Sequence, residues 1–224
     1  MSDAAGWYGK LPSAGDFASR RLPPEFVGPW DRWLQSGIAH AKATLGERWQ
    51  DLYLTFPIWR FVLPGGAFGP DAWCGVLLPS TDRVGRLFPL TLARSLARAP
   101  ALASSLLAID DQLELLADVA LHGLDNQPID AFDARVSAVR VPPRVDAGAV
   151  VPLECLVDET SLGRWTLDGP LDALLRRSAE RAALAKLGRR ALWWTPAGQD
   201  GNGAMRLAQV PPAPEFFTAL ISGH

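Results

Sequence analysis

Between residues 26 and 52, apolar side chains fall at Phe26, Trp30, Trp33, Leu34, Ile38, Ala41, Leu45, Trp49 and Leu52. This is close to the three-and-four spacing that lines one face of a helix. A long amphipathic helix is therefore predicted after Pro23-Pro24. Pro29 lies inside the pattern and has no N–H to give, so the regular helix is expected to start near it or kink there. A second run, Leu102, Leu106, Ile109, Leu113, Leu116, Ala120 and Leu124, keeps helical spacing for about six turns. Shorter helices are expected over residues 129–139, after Pro128, and over residues 170–187, where Pro170 suits a first turn and Gly188 a terminus. A last one is expected around Phe216, Phe217 and Leu220.

Strand signals occupy the gaps. Trp7-Tyr8-Gly9-Lys10-Leu11-Pro12 reads as a short strand ended by proline, and Ser13-Ala14-Gly15-Asp16 as a turn. Residues 58–63, 73–79 and 87–93 form three strand candidates joined by turn-rich stretches. Such short connections favour antiparallel pairing, because a parallel crossover needs a dozen or more residues. Trp73-Cys74-Gly75-Val76-Leu77-Leu78 is apolar at nearly every position, as in a strand covered on both faces. A further strand is expected over residues 150–157. A hairpin is predicted from residues 191–195 and 204–210, which flank Gly201-Asn202-Gly203. The expectation is an α/β (α+β) fold with a central, largely antiparallel sheet and helices packed on both faces. It is read as a single compact domain over residues 1–224, motif-rich over about 6–95 and helix-rich over about 96–224.

Composition narrows the function classes. Apolar residues make up 48% and charged residues 21% of the 224, which suits a folded chain and not a disordered one. The 22 basic and 24 acidic residues give a net charge of -2, with no basic stripe to release counterions from nucleic acid, so no nucleic-acid partner is expected. Cys74 and Cys155 sit in apolar segments, where a thiol behaves as a small hydrophobe, and they suggest a reducing compartment. The N-terminus has no basic and apolar leader, and no apolar run is long enough to span a bilayer, so a cytoplasmic protein without membrane insertion is expected. His40, His122 and His224 lack metal-ligand spacing and two lone cysteines cannot form a zinc knuckle, so no metal is expected. Signatures of phosphate loops, dinucleotide-binding turns and nucleophile elbows are absent, and neither a cofactor nor catalysis is expected.

The most charged constellation in the apolar first half is Ser80-Thr81-Asp82-Arg83-Val84-Gly85-Arg86. Two arginines with a serine and a threonine can hold a phosphate or carboxylate, with Asp82 orienting an arginine. Equally, Ser80 and Asp82 can cap the turn while Arg83 and Arg86 are solvated or structurally paired, and residue types alone favour this second reading. Ser13, Asp16, Arg20 and Arg21 are weighed in the same way. Asp16 has no acidic neighbour for acid–base work, and a carboxylate after glycine more often fixes a turn. Lys10, Ser13, Asp16, Arg20, Arg21, Ser80, Asp82, Arg83 and Arg86 are the candidate binding residues. The nine tryptophans are assigned to the core, with an exposed subset able to anchor an interface.

Read together, five segments resemble the TagF (ImpM-like) family of type VI secretion proteins in order and spacing: residues 6–17 (Gly-Trp-Tyr-Gly-Lys-Leu-Pro-Ser-Ala-Gly-Asp-Phe), Arg21-Leu22-Pro23, Trp30-Asp31-Arg32-Trp33-Leu34-Gln35, Pro57-Ile58-Trp59-Arg60-Phe61, and residues 75–90 with Pro79-Ser80-Thr81-Asp82-Arg83-Val84-Gly85-Arg86 at their centre. The resemblance covers roughly residues 6–95. It implies a central antiparallel sheet with helices on both faces. It also implies a cytoplasmic, non-enzymatic accessory protein that restrains the secretion apparatus after translation by sequestering a scaffold with a forkhead-associated domain, called Fha. Some relatives are fused to a PppA-type phosphatase, and this chain's length leads one to expect the stand-alone form. Two alternatives stay open at this point. One is an enzyme or sensor binding a phosphorylated group at Ser80, Asp82, Arg83 and Arg86, with Asp16 and Lys10 nearby, and the other is a structural component of the secretion baseplate.

Overall fold

The aromatic positions predicted to share one helical face do so. In the computed structural model, α1 spans Pro24–Leu45 and buries Phe26, Trp30, Trp33, Leu34, Ile38 and Ala41. The structure describes residues 4–98, 106–139, 190–196 and 203–222. The strand expected over 150–157, the helix over 170–187, Cys155 and His224 lie outside the described residues. Those described belong to one compact unit, Met1–Val141 with Arg189–His224.

Helix α1 excludes one of the two alternatives expected at Pro29. It starts at Pro24, not near Pro29, which sits inside the helix. Pro24 occupies the first turn, where its missing N–H costs nothing, while the packing of Phe26 and Trp30 outweighs the bond lost at Pro29. The helix also ends earlier than the apolar spacing suggested, at Gly46, and a short 3-10 turn leads into α2, Trp49–Thr55.

Seven strands follow or precede these helices: β1 Gly6–Gly9, β2 Ala18–Arg20, β3 Trp59–Leu63, β4 Trp73–Leu78, β5 Leu90–Ser95, β6 Ala191–Thr195 and β7 Ala204–Ala208. They form one sheet in the order β2-β1-β5-β4-β3-β6-β7, antiparallel at every pairing. The predicted three-strand meander and the late hairpin are both present. The register Trp59↔Leu77 and Leu78↔Leu90 fixes which residues face which core. β5 begins at Leu90 rather than Leu87 because Pro89 has no N–H for the ladder. Helices α3 Leu106–Gly123, α4 Ile129–Ala138 and α5 Pro214–Ser222 complete the described elements.

The continuous apolar run of β4 is explained by two cores. Trp73 and Leu77 face an aromatic one with α1, α2 and α5, containing Trp30, Trp33, Phe61, Trp193 and Phe217. Cys74, Val76 and Leu78 face an aliphatic one with α3 and α4, containing Ile109, Leu113, Leu116, Phe132 and Val136. The sheet is therefore sandwiched as the sequence predicts. Within the aromatic core, Trp30 and Trp193 stack at 6.0 Å and Trp30 lies 5.2 Å from Phe61; such pairs add about 0.5–1.5 kcal/mol each beyond burial. Gly75 is required by close approach, since a Cβ there would stand 2.3 Å from the Leu92 carbonyl oxygen and 2.5 Å from the Phe61 ring. Burial pushes the Cys74 thiol up to about 12, against a smaller opposing effect of Arg94, so it is an inert core residue. Among the described residues no helix is long and apolar enough to cross a membrane.

Candidate functional site

Two loops meet at one end of β1 and β4. The first leaves β1 through Lys10 and turns at Leu11–Ala14, where the Ala14 N–H donates to the Leu11 carbonyl at 2.9 Å. The second joins β4 to β5. It doubles back on itself, with Asp82 N–H to Arg86 oxygen at 3.1 Å, Gly85 N–H to Asp82 oxygen at 2.9 Å and Phe88 N–H to Ser80 oxygen at 3.1 Å. Gly85 has a φ of +82°, which the absence of a Cβ makes inexpensive.

Asp82 is the centre of this second loop. Its side chain has no exposed surface. One carboxylate oxygen accepts from the Val84 and Arg86 backbone N–H groups at 3.1 and 2.9 Å. The other accepts from Arg86 Nε at 2.6 Å and pairs with Lys10 Nζ at 3.0 Å. Burial alone would raise its pKa, but the Arg86 N–H, the Lys10 ammonium, the Arg86 side chain and the Val84 N–H together hold the carboxyl well below the usual carboxylate range. A carboxylate so saturated has no lone pair left to act as a base.

The two loops are laced together. Arg83 N–H donates to the Ala14 carbonyl at 2.8 Å, Arg86 Nη2 to the Gly15 carbonyl at 2.7 Å, and Ser80 Oγ to the Lys10 carbonyl at 2.7 Å. Tyr53 of α2 anchors the entry, its hydroxyl donating to the Ser80 carbonyl at 2.9 Å and accepting from the Ser80 N–H at 3.2 Å. The ring of Phe17, 44% exposed, rests against Phe88 at 4.7 Å with Lys10 Nζ 5.1 Å from its centre.

Of the nine candidate residues, the fold brings Lys10, Ser80, Asp82 and Arg86 into direct contact, with Ser13, Asp16 and Arg83 on the same pair of loops. Lys10, Ser80 and Asp82 are buried and serve the loops themselves. The Ser13 hydroxyl is shielded from water with no hydrogen-bond partner. Asp16 is exposed and accepts from the Phe17 N–H at 2.8 Å, the turn-fixing role that its position suggests. Arg83 is exposed, its guanidinium lying over Gly15, 3.4 Å from where a Cβ would stand. Val84 beside it is 69% exposed.

Arg20 and Arg21 are elsewhere. Arg20 is exposed over the Trp7 ring at 5.9 Å. Arg21 donates to the Ala5 carbonyl at 2.8 Å and grips Asp133 of α4 with two nitrogens at 2.8 and 2.7 Å. Asp133 also accepts from Trp7 Nε1 at 2.7 Å. Burial opposes ionisation of Asp133, but the Arg21 and Trp7 hydrogen bonds prevail and lower its pKa. Arg21 adopts φ +62°, so the ion pair holds it in a left-handed conformation that L residues avoid.

Several working residues escaped the sequence reading. Asp133 is one; nothing local in α4 marks it as a partner for a residue 112 positions earlier. Asp31, inside the Trp30–Gln35 motif, accepts from the Tyr8 hydroxyl at 2.5 Å and from Gln35 Nε2 at 2.6 Å. Trp30 Nε1 donates to Thr91 Oγ1 at 2.9 Å. On the other face of the sheet, Asp110 accepts from Arg60 Nη1 at 2.5 Å and from Trp194 Nε1 at 2.7 Å. The motif residues thus act largely as ties between layers.

A sheet sandwiched by helices, with two interlocked loops at one end, defines a three-layer α/β module whose charged motif is spent mostly on its own architecture. The TagF N-terminal domain, described as type VI secretion system-associated, matches residues 6–139, and the chain belongs to that family. It is similar throughout to the crystal structure of PA0076 from Pseudomonas aeruginosa PAO1, with 30% identity over 99% of this chain and 95% of that one and a TM-score of 0.73. No curated protein matches.

Proposed function

We propose that the protein is a cytoplasmic, non-catalytic repressor of a type VI secretion system that captures the Fha scaffold after translation and withholds it from the assembling machine. The family places the chain with type VI secretion. The observation that carries the finer reading is the use made of Asp82: its four donors lock the loop, and the locked loop holds Arg83 and Val84 out to solvent, beside the exposed Phe17 of the neighbouring loop. A preordered loop loses little entropy when it docks, and arginine is among the residues enriched at interface hot spots.

The competing reading, a phosphorylated ligand held by Ser80, Asp82, Arg83 and Arg86, finds less support. It needs the Ser80 hydroxyl and Lys10 ammonium to face a ligand, and both are buried and committed to other partners. A baseplate component differs in its genetics. Deleting the gene in its host separates the two, with secreted effector measured in the culture medium. A repressor predicts increased or deregulated secretion and reduced secretion on overproduction, whereas loss of secretion on deletion would overturn the proposal.

A further inference from the structure

The two edges of the sheet are finished differently. At one edge β2 has only three residues, ends on the exposed Arg20, and is followed at once by Arg21 at φ +62°, where the extended backbone stops. A short, charged edge of this kind discourages other strands from pairing with it. At the other edge β7 has five residues in unbroken one-to-one register with β6, and it contains no proline, lysine or bulge. Among the described residues nothing pairs with its outer side. A row of main-chain N–H and C=O groups about 17 Å long is therefore left open.

The side chains of β7 give this edge a definite chemistry. Met205 is 71% and Leu207 48% exposed. Met205 stands opposite the half-buried Trp194 and Leu207 opposite Leu192, so an apolar strip runs out to the last strand on the face where Trp194 packs with the aliphatic core. Arg206 lies between them on the opposite face, across from Trp193, with its guanidinium 5.9 Å from the centre of the Trp59 ring. It takes part in no ion pair among the described residues, and its Nε is shielded from water with no hydrogen-bond partner. By contrast, Arg21, Arg60 and Arg86 each hold an aspartate.

These features restrict the occupant. An open row of backbone groups is satisfied by an extended peptide, whose main chain supplies affinity and whose alternate side chains supply specificity. A second copy of the chain fits poorly. Antiparallel self-pairing over all five residues of β7 sets Arg206 against its own counterpart, and like charges directly opposite repel. Beside Met205 and Leu207 an added strand gains from apolar side chains, and beside Arg206, on the other face, from a carboxylate. We propose that β7 is the docking edge for an extended segment of a partner polypeptide with the pattern apolar-acidic-apolar, which joins the sheet as an eighth strand. The inference is independent of the role given to the Asp82 loop.

The test titrates the full chain with the peptide acetyl-Thr-Val-Glu-Val-Thr-amide and follows backbone N–H resonances by NMR. One control peptide carries lysine in place of glutamate, and another is methylated on the amide nitrogens of its three central residues, which removes their main-chain donors. The expected result is saturable movement of residues 204–208 with the glutamate peptide, about fivefold or more weaker binding with lysine, and none with the methylated peptide. Met205→Lys, at an exposed position, keeps the fold and weakens the glutamate peptide severalfold. Arg206→Glu reverses the preference, so that the lysine peptide binds better. Should Arg206→Glu disturb the packing on Trp59, Met205→Lys decides. No movement at β7, equal binding of either control peptide, unweakened binding by Met205→Lys, or a folded Arg206→Glu that still prefers glutamate would each overturn the proposal. Self-association of the chain that Met205→Lys abolishes would overturn it too, by giving the edge to a second copy.

Discussion

Replacing Tyr53 by phenylalanine tests whether the charged loop is held from beneath. The ring keeps its place between Trp49 and Phe56, at 5.0 and 5.5 Å, so no cavity opens. What is lost is one hydroxyl with two bonds to Ser80. The Ser80 carbonyl still receives the Phe88 N–H at 3.1 Å, and it remains satisfied. The Ser80 N–H does not, and it is buried. An orphaned buried donor costs about 1–3 kcal/mol. Taking the middle of that range, about 2 kcal/mol, the melting temperature should fall by about 4–8 °C for a domain of this size. Thermal unfolding followed by tryptophan fluorescence and circular dichroism reads this directly. A melting temperature within about 1 °C of the parent would refute the assignment of Ser80 as an internal anchor and reopen the phospho-ligand reading of that residue.

Other outcomes follow from the same contacts. The Asp82 carboxyl is depressed in the folded state, so its contribution to stability is fully present above its unfolded value of about 4 and is lost as pH falls below it. Asp82→Asn should therefore be less stable than the parent at neutral pH, with the gap between urea midpoints closing as pH is lowered from about 5 to 2; a gap independent of pH would contradict this. At Arg21 the ion pair enforces a positive φ, so Arg21→Gly should be about 1 kcal/mol more stable than Arg21→Ala, measured by urea unfolding, although both fall below the parent. Gly75→Val drives a side chain into Phe61 and the Leu92 carbonyl. It should cost about 3 kcal/mol or more, read as loss of soluble protein or a collapsed unfolding midpoint.

Much of the architecture was legible because periodicity reports burial. The three-and-four spacing of α1 and the unbroken apolar run of β4 stated which faces are covered, and the short links from β3 to β5 required antiparallel pairing. What periodicity cannot carry is non-local placement. Nothing in Trp7-Tyr8 says that β1 inserts beside β5, or in Trp193 that β6 lies against β3. β2 was missed because Ala18-Ser19-Arg20 is too short for alternation to show. In the loop, residue types identified the right segment and favoured the structural role that Asp82 and Ser80 have. They could not separate the buried Lys10 from the exposed Arg83, since both are cations in short polar stretches beside a strand and only the folded packing distinguishes them. The tryptophans behaved as apolar spacing indicates: those described are buried, except Trp194, which is half-buried.

Calorimetric titration of the purified protein into the Fha scaffold, beside the double variant Arg83→Glu with Val84→Asp, bears most directly on the proposed role. Both side chains are exposed, so the variant should melt within a few degrees of the parent. The parent should bind, and the variant should bind at least about 30-fold more weakly, the equivalent of about 2 kcal/mol at a hot spot. No binding by the parent, or equal binding by a folded variant, would contradict a docking role for the Asp82 loop.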